Sequence, residues 1–151
     1  MINNLLQVNR PEPIKSGIEI GSFTRESDIP ETIQALLEGE QILVEEFYSN
    51  GLYLLRELTT YLKNTLPNET FIEQRAFRAE FRKLSNLILI HVKGNKLLVR
   101  KAPVIGWLEK LYPELNDFFL PLPQIQGLNS AWQWYKNGIN IPVLRNKLHP
   151  Y

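Results

Sequence analysis

The sequence predicts an α+β fold, a mainly helical single domain with a small β-hairpin. Three observations predict it. Two capping-box patterns stand ahead of segments whose apolar residues recur at helical spacing. Two apolar runs flank a Gly-Asn turn, the signature of a hairpin. Prolines follow several of the helical stretches, where they cannot continue a helix. A chain of 151 residues fits one domain. At that size roughly two thirds of the unfolded surface is hidden on folding, enough for a true core.

Residues 1–16 are polar and carry Pro11 and Pro13, so they read as an amino-terminal arm. The helical domain runs over residues 17–138. It opens with residues 17–23, whose weak alternation suits a short strand. Asp28 can cap a helix, with Glu31 three residues on. Ile33, Leu36 and Leu37 give that helix one apolar stripe, and Gly39 stops it. A second helical stretch covers residues 40–66, with Leu43, Phe47, Leu54, Leu55, Leu58 and Leu62 in phase. Asn50-Gly51 either kinks it or divides it in two, and Pro67 ends it.

Thr70 and Glu73 form the second capping-box pattern and open a third helix. Phe77, Phe81 and Leu84 line its apolar side, and Arg75, Arg78, Arg82 and Lys83 occupy much of the rest. Residues 87–92 and 96–100 then flank Lys93-Gly94-Asn95, which places a hairpin near 87–100. Residues 104–112 suggest a short helix closed by Pro113. Residues 118–123 cannot be regular helix, because Pro121 and Pro123 remove donors and restrict their predecessors. A last helix is expected over 127–137, stopped by Gly138, and residues 139–151 read as a linker extended around Pro142.

Composition excludes several function classes. A net charge of +1 argues against a partner held by bulk electrostatics, while leaving room for a local patch. The chain has no cysteine, which removes disulfides, thiolate catalysis and zinc-cysteine sites and fits a reducing cytoplasm. Its first residues lack the basic and apolar regions of a signal peptide. No run approaches the roughly 20 apolar residues of a membrane span.

Neither a Gly-rich phosphate loop nor a G-x-S-x-G elbow is present. His91 and His149 are the only histidines, and neither has metal-ligand spacing. No catalytic, cofactor-binding or metal residue is therefore expected. His91 reads either as a general base or as a hairpin side chain. Glu45 and Glu46 are adjacent and would diverge on a helix, so they make no acid–base pair. Arg75, Arg78 and Arg82 form either a contact face for RNA or protein or a solvated helix face. Trp132 and Tyr135 share a helix face while Trp134 points elsewhere. These three rings form either a binding platform or packing for the core and a domain seam.

A resemblance rests on the order of short motifs toward the carboxyl end. Arg100-Lys101-Ala102-Pro103 comes first, then Trp107-Leu108 and Leu111-Tyr112-Pro113. Leu120-Pro121-Leu122-Pro123 follows, then Gln126-Gly127-Leu128-Asn129 and Ala131-Trp132-Gln133-Trp134-Tyr135. Pro142-Val143-Leu144 and Leu148-His149-Pro150-Tyr151 close the run. In this order the motifs resemble the amino-terminal region of a group of bacterial class I S-adenosylmethionine-dependent methyltransferases. In that group the L-H-P-x stretch leads into a Y-G-x-[FY]-x-P-[TV]-R segment and then a Rossmann-like catalytic domain. The resemblance covers residues 100–151 well, and earlier residues only by position and helical character.

The resemblance implies an accessory domain whose partner is a carboxyl-terminal methyltransferase domain. S-adenosylmethionine would then be the cofactor of the full-length protein, with no position for it in this chain. Helical domains ahead of such a fold, as in release-factor glutamine methyltransferases, commonly select a macromolecular substrate, here protein or RNA. Candidate substrate or interdomain contacts are Arg75, Arg78, Arg82, Trp132, Trp134, Tyr135 and His149. A free-standing RNA- or protein-binding module is the alternative. A small independent enzyme is a third reading, which lacks a nucleophile–base pair in its support. No membrane or metal partner is expected, and the expected location is the cytoplasm.

Overall fold

The computed structural model describes residues 10–14 and 20–137 of the chain. Helices and a small mixed sheet alternate: β1 (Gly21–Phe23), α1 (Ile29–Leu37), β2 (Ile42–Val44), α2 (Tyr48–Thr65) and α3 (Phe71–Ser85) come first. Then follow β3 (Ile88–Lys93), β4 (Lys96–Leu97), α4 (Leu108–Leu111), β5 (Asp117–Pro121) and α5 (Leu122–Lys136). Gly138 and the expected linker at 139–151, with His149, lie outside the described residues, as do 1–9 and 15–19 of the amino-terminal region.

The α+β character stands, but the β component is larger than a hairpin. β1, β2 and β3 pair in parallel, and β5 runs antiparallel to β3 from Leu89↔Pro121 to Lys93↔Asp117. β4 pairs the end of β3, on the edge that β5 leaves free. Parallel neighbours need long crossovers. α1 supplies the one between β1 and β2, and α2 with α3 the one between β2 and β3. The helices and the sheet thus presuppose each other.

Local signals set several boundaries. Asp28 Oδ1 accepts from the Glu31 amide at 2.9 Å, and Gly39 follows the helix at φ +87°. At α3 both arms of the capping box are made: Thr70 Oγ1 accepts from Glu73 N at 3.1 Å, and Glu73 Oε1 from Thr70 N at 3.0 Å. Gly94 and Asn95 both have positive φ, 59° and 64°, as a two-residue type I′ hairpin turn requires.

Residues 40–66 are not one helical stretch. Ile42–Val44 is a strand in the middle of the sheet, because Ile42 N donates to Leu87 O at 2.9 Å on one side and Gly21 N to Gln41 O at 3.0 Å on the other. The chain then turns through Glu46 at φ 69° into α2. Asn50-Gly51 does not divide that helix but lies in its first turn. A Cβ on Gly51 would meet Leu122 Cδ2 at 2.7 Å and Val44 Cγ2 at 3.3 Å, so the glycine permits close packing of α2 on β2 and α5. Asn50 is buried, and its Nδ2 donates to Glu45 O at 3.0 Å.

Two further expectations are corrected. The short helix near 104–112 is the single turn Leu108–Leu111. The last helix begins at Leu122 rather than 127, so the stretch 118–123, expected to be non-helical throughout, is helical at Leu122 and Pro123; proline is tolerated in a first turn, where a missing N–H costs nothing. The preceding strand β5 ends at Pro121.

The main core lies on one face of the sheet. Ile88, Ile90 and Val92 of β3 join Phe118 and Leu120 of β5 there, with Leu54, Leu58 and Leu62 of α2 and Leu84 of α3. Each fully buried aliphatic side chain contributes on the order of 2 kcal/mol of transfer free energy. Leu89, His91, Phe119 and Pro121 belong to the other face by alternation, and the His91 and Phe119 rings stack at 4.7 Å.

Candidate functional site

The amino-terminal arm is joined to the domain over its described residues. Ile14 makes an antiparallel bridge to Phe119, with N–O distances of 2.9 and 2.8 Å. Arg10 Nη1 donates to Leu111 O at 2.6 Å and to Glu114 Oε1 at 3.1 Å, and its guanidinium lies 4.9 Å from the centre of the Tyr112 ring. Tyr112 is 1% exposed, so its hydroxyl needs a partner, and it donates to Pro11 O. Burial pushes the Tyr112 phenol up from its ordinary value of 10.

Between this arm, Trp107 and α5 lies a cleft of about 580 Å³. Its lining includes Arg10, Trp107, Gln124, Gly127, Leu128 and Ala131. Gly127 and Ala131 are spaced i, i+4 on α5, and their small size keeps that helix face hollow. A Cβ on Gly127 would meet nothing within 4 Å.

Beside the cleft three aromatic rings come together. Trp132 and Tyr135 stack with centroids 5.8 Å apart, as their i, i+3 spacing predicts. Trp107, just before α4, meets Trp132 edge-on at 5.4 Å and Tyr135 at 5.1 Å. The mutual geometry is of the kind that adds to simple burial. Trp107 is buried at 7% exposure, Trp132 is half-buried and Tyr135 remains 50% exposed. The cluster therefore runs from core to surface. Trp134 is half-buried and takes no part in this ring cluster. In the sequence Trp107 stands out only as part of the Trp107-Leu108 motif; the adjacent Gly106 is the signal for its role. A Cβ there would lie 2.5 Å from Trp132 Cη2, so only glycine lets the ring approach.

Arg75, Arg78 and Arg82 are exposed along α3, and none makes an ion pair among the described residues. They are not part of the aromatic cleft. His91 is hydrogen-bonded through Nε2 to Asp117 Oδ1, with Lys93 Nζ 4.0 Å from the other carboxylate oxygen. The His91 hydrogen bond, aided by its charge and that of Lys93, holds the Asp117 carboxyl below its ordinary value of 3.8. Among the described residues no serine or threonine hydroxyl is bonded to the His91 ring, so the pair lacks a nucleophile. Also among the described residues, no three His, Asp or Glu side chains gather as a metal site, and no helix is long and apolar enough to cross a membrane. The cleft and its rings are suited to apolar and aromatic contact, with Arg10, Glu12 and Gln124 as polar edges.

Comparison with family models, with characterised proteins and with solved structures finds no match to this chain.

Proposed function

We propose that this domain is the amino-terminal substrate-recognition or interdomain-packing part of an S-adenosylmethionine-dependent methyltransferase and performs no chemistry alone. The observation that carries the reading is the Trp107, Trp132 and Tyr135 cluster, open to solvent at Tyr135 and bordered by an apolar cleft. Large rings left half-covered gain by being covered, and aromatic residues are enriched in buried contact cores. Trp132 and Tyr135 of the cluster sit in α5, shortly ahead of residues 138–151, which bear the methyltransferase-like Pro142-Val143-Leu144 and Leu148-His149-Pro150-Tyr151 motifs. In this reading the following domain covers the rings and supplies every cofactor contact. A cytoplasmic location goes with it.

Two measurements test the reading. The reading frame beyond Tyr151 is expected to encode a strand followed by a Gly-rich loop. Calorimetry is expected to detect S-adenosylmethionine binding to the full-length protein and none to residues 1–151 alone. Tight binding by the 151-residue chain, or a following frame without such a loop, would overturn the proposal.

A further inference from the structure

α3 carries a second surface that shares no lining residue with the aromatic cleft. Phe71, Arg75, Arg78 and Arg82 follow one another at i, i+4, i+7 and i+11, a single stripe about 16 Å long. Phe71 is 69% exposed and its neighbour Ile72 78%, and the Arg75 guanidinium lies 5.9 Å from the Phe71 ring. At the carboxyl end of the stripe a cleft of about 270 Å³ opens between α3 and the start of α5. Phe77, Phe81 and Pro123 give it apolar walls, and Arg78 and Arg82 stand among its lining residues.

The acids of the same helix do not neutralise these arginines. Glu73 is engaged in the helix cap, and Glu80 pairs with Lys83 at 3.8 Å. The cleft is also held in shape. Asn86 Nδ2 donates to Arg82 O at 2.7 Å, and Gln124 Nε2 donates to Asn86 Oδ1 at 3.1 Å, which ties the end of α3 to α5.

From this placement we infer that the α3 stripe and its cleft dock an acidic peptide segment carrying an apolar side chain. The charge complementarity is specific. Guanidinium groups can take carboxylates in a bidentate fork, and the Phe77, Phe81 and Pro123 walls accept an aliphatic or aromatic anchor. A nucleic acid is disfavoured, because a net charge of +1 gives no broad field for a polyphosphate and the walls suit a side chain better than a sugar–phosphate.

The probe is a fluorescein-labelled peptide of Asp and Glu residues around one Phe and one Leu, followed by anisotropy. Saturable binding is expected, with the Arg78→Glu, Arg82→Glu double variant weakening it at least about tenfold. Arg75→Glu and Phe71→Ser supply independent perturbations at exposed positions, each expected to weaken binding while leaving the thermal melt unchanged. Arg78→Lys with Arg82→Lys keeps the charge without the fork and should fall between. The proposal is overturned if the peptide does not saturate, if charge reversal has no effect, if a Gln- and Asn-substituted peptide binds equally well, or if labelled oligouridine of matched charge binds more tightly.

Discussion

Gly106→Ala is the most direct probe of the aromatic cluster. The added methyl would sit 2.5 Å from Trp132 Cη2 and 2.6 Å from Trp132 Cζ2, well inside van der Waals contact. Trp132 cannot retreat freely, because Trp107 meets it at 5.4 Å and Tyr135 stacks on it at 5.8 Å. Overpacking of this kind costs about 1–3 kcal/mol. For a domain of this size a loss near 2 kcal/mol lowers Tm by roughly 4–8 °C. Urea denaturation followed by far-UV circular dichroism measures the loss, and near-UV dichroism should show the rings disturbed. The decisive step is a double-mutant cycle with Trp132→Leu. Removing the indole removes the clash, so Gly106→Ala should cost less than about 0.5 kcal/mol in that background, a coupling above roughly 1 kcal/mol. Equal costs in the two backgrounds would refute the argument that Gly106 is glycine because of Trp132.

Two more predictions concern the scaffold. Thr70→Ala removes the acceptor for Glu73 N and should destabilise the domain by about 1 kcal/mol in urea titrations, with little packing lost at this exposed site; a change below about 0.3 kcal/mol would show that the capping box contributes nothing. The Asp117 carboxyl is held below 3.8 in the folded protein by the His91 hydrogen bond, so its contribution is complete above its unfolded value and is lost as pH falls through the folded one. Wild type should therefore lose more stability than Asp117→Asn as pH falls below about 4, and parallel pH profiles for the two proteins would sink the assignment.

The parts legible in the sequence are those that one short segment dictates. Asp28 and Thr70 bond amides three residues away, and Gly94-Asn95 sets its turn with its own φ angles. The i, i+3 pairing of Trp132 with Tyr135 likewise needs only helix geometry. Strand Ile42–Val44 was hidden because its residues also suit a helix, and its partners Gly21–Phe23 and Ile88–Leu89 are distant in sequence. β5 was hidden because it is buried on both faces: Phe118, Phe119, Leu120 and Pro121 show no alternation that a pattern search can use. Pro121 ends the strand without indicating one, and Pro123, which argues against a helix in the sequence, stands in the first turn of α5, where its missing N–H is tolerated. Arg10 and Tyr112 carried no local signal at all, since their contacts join residues about a hundred positions apart.

By itself the sequence determined where α1 and α3 begin, where the hairpin turns, which residue types were missing for metal or thiolate chemistry, and which two rings on α5 share a face. The tertiary structure alone decided that a short apolar run becomes a central strand, that Gly51 and Gly106 serve close packing, that Trp107 completes the cluster, and that α3 and α5 leave a cleft beneath two arginines. The division has one physical cause. Caps and tight turns are settled by bonds between neighbours in the chain, whereas strand pairing, glycine contacts and clefts depend on surfaces that meet only after the chain has folded.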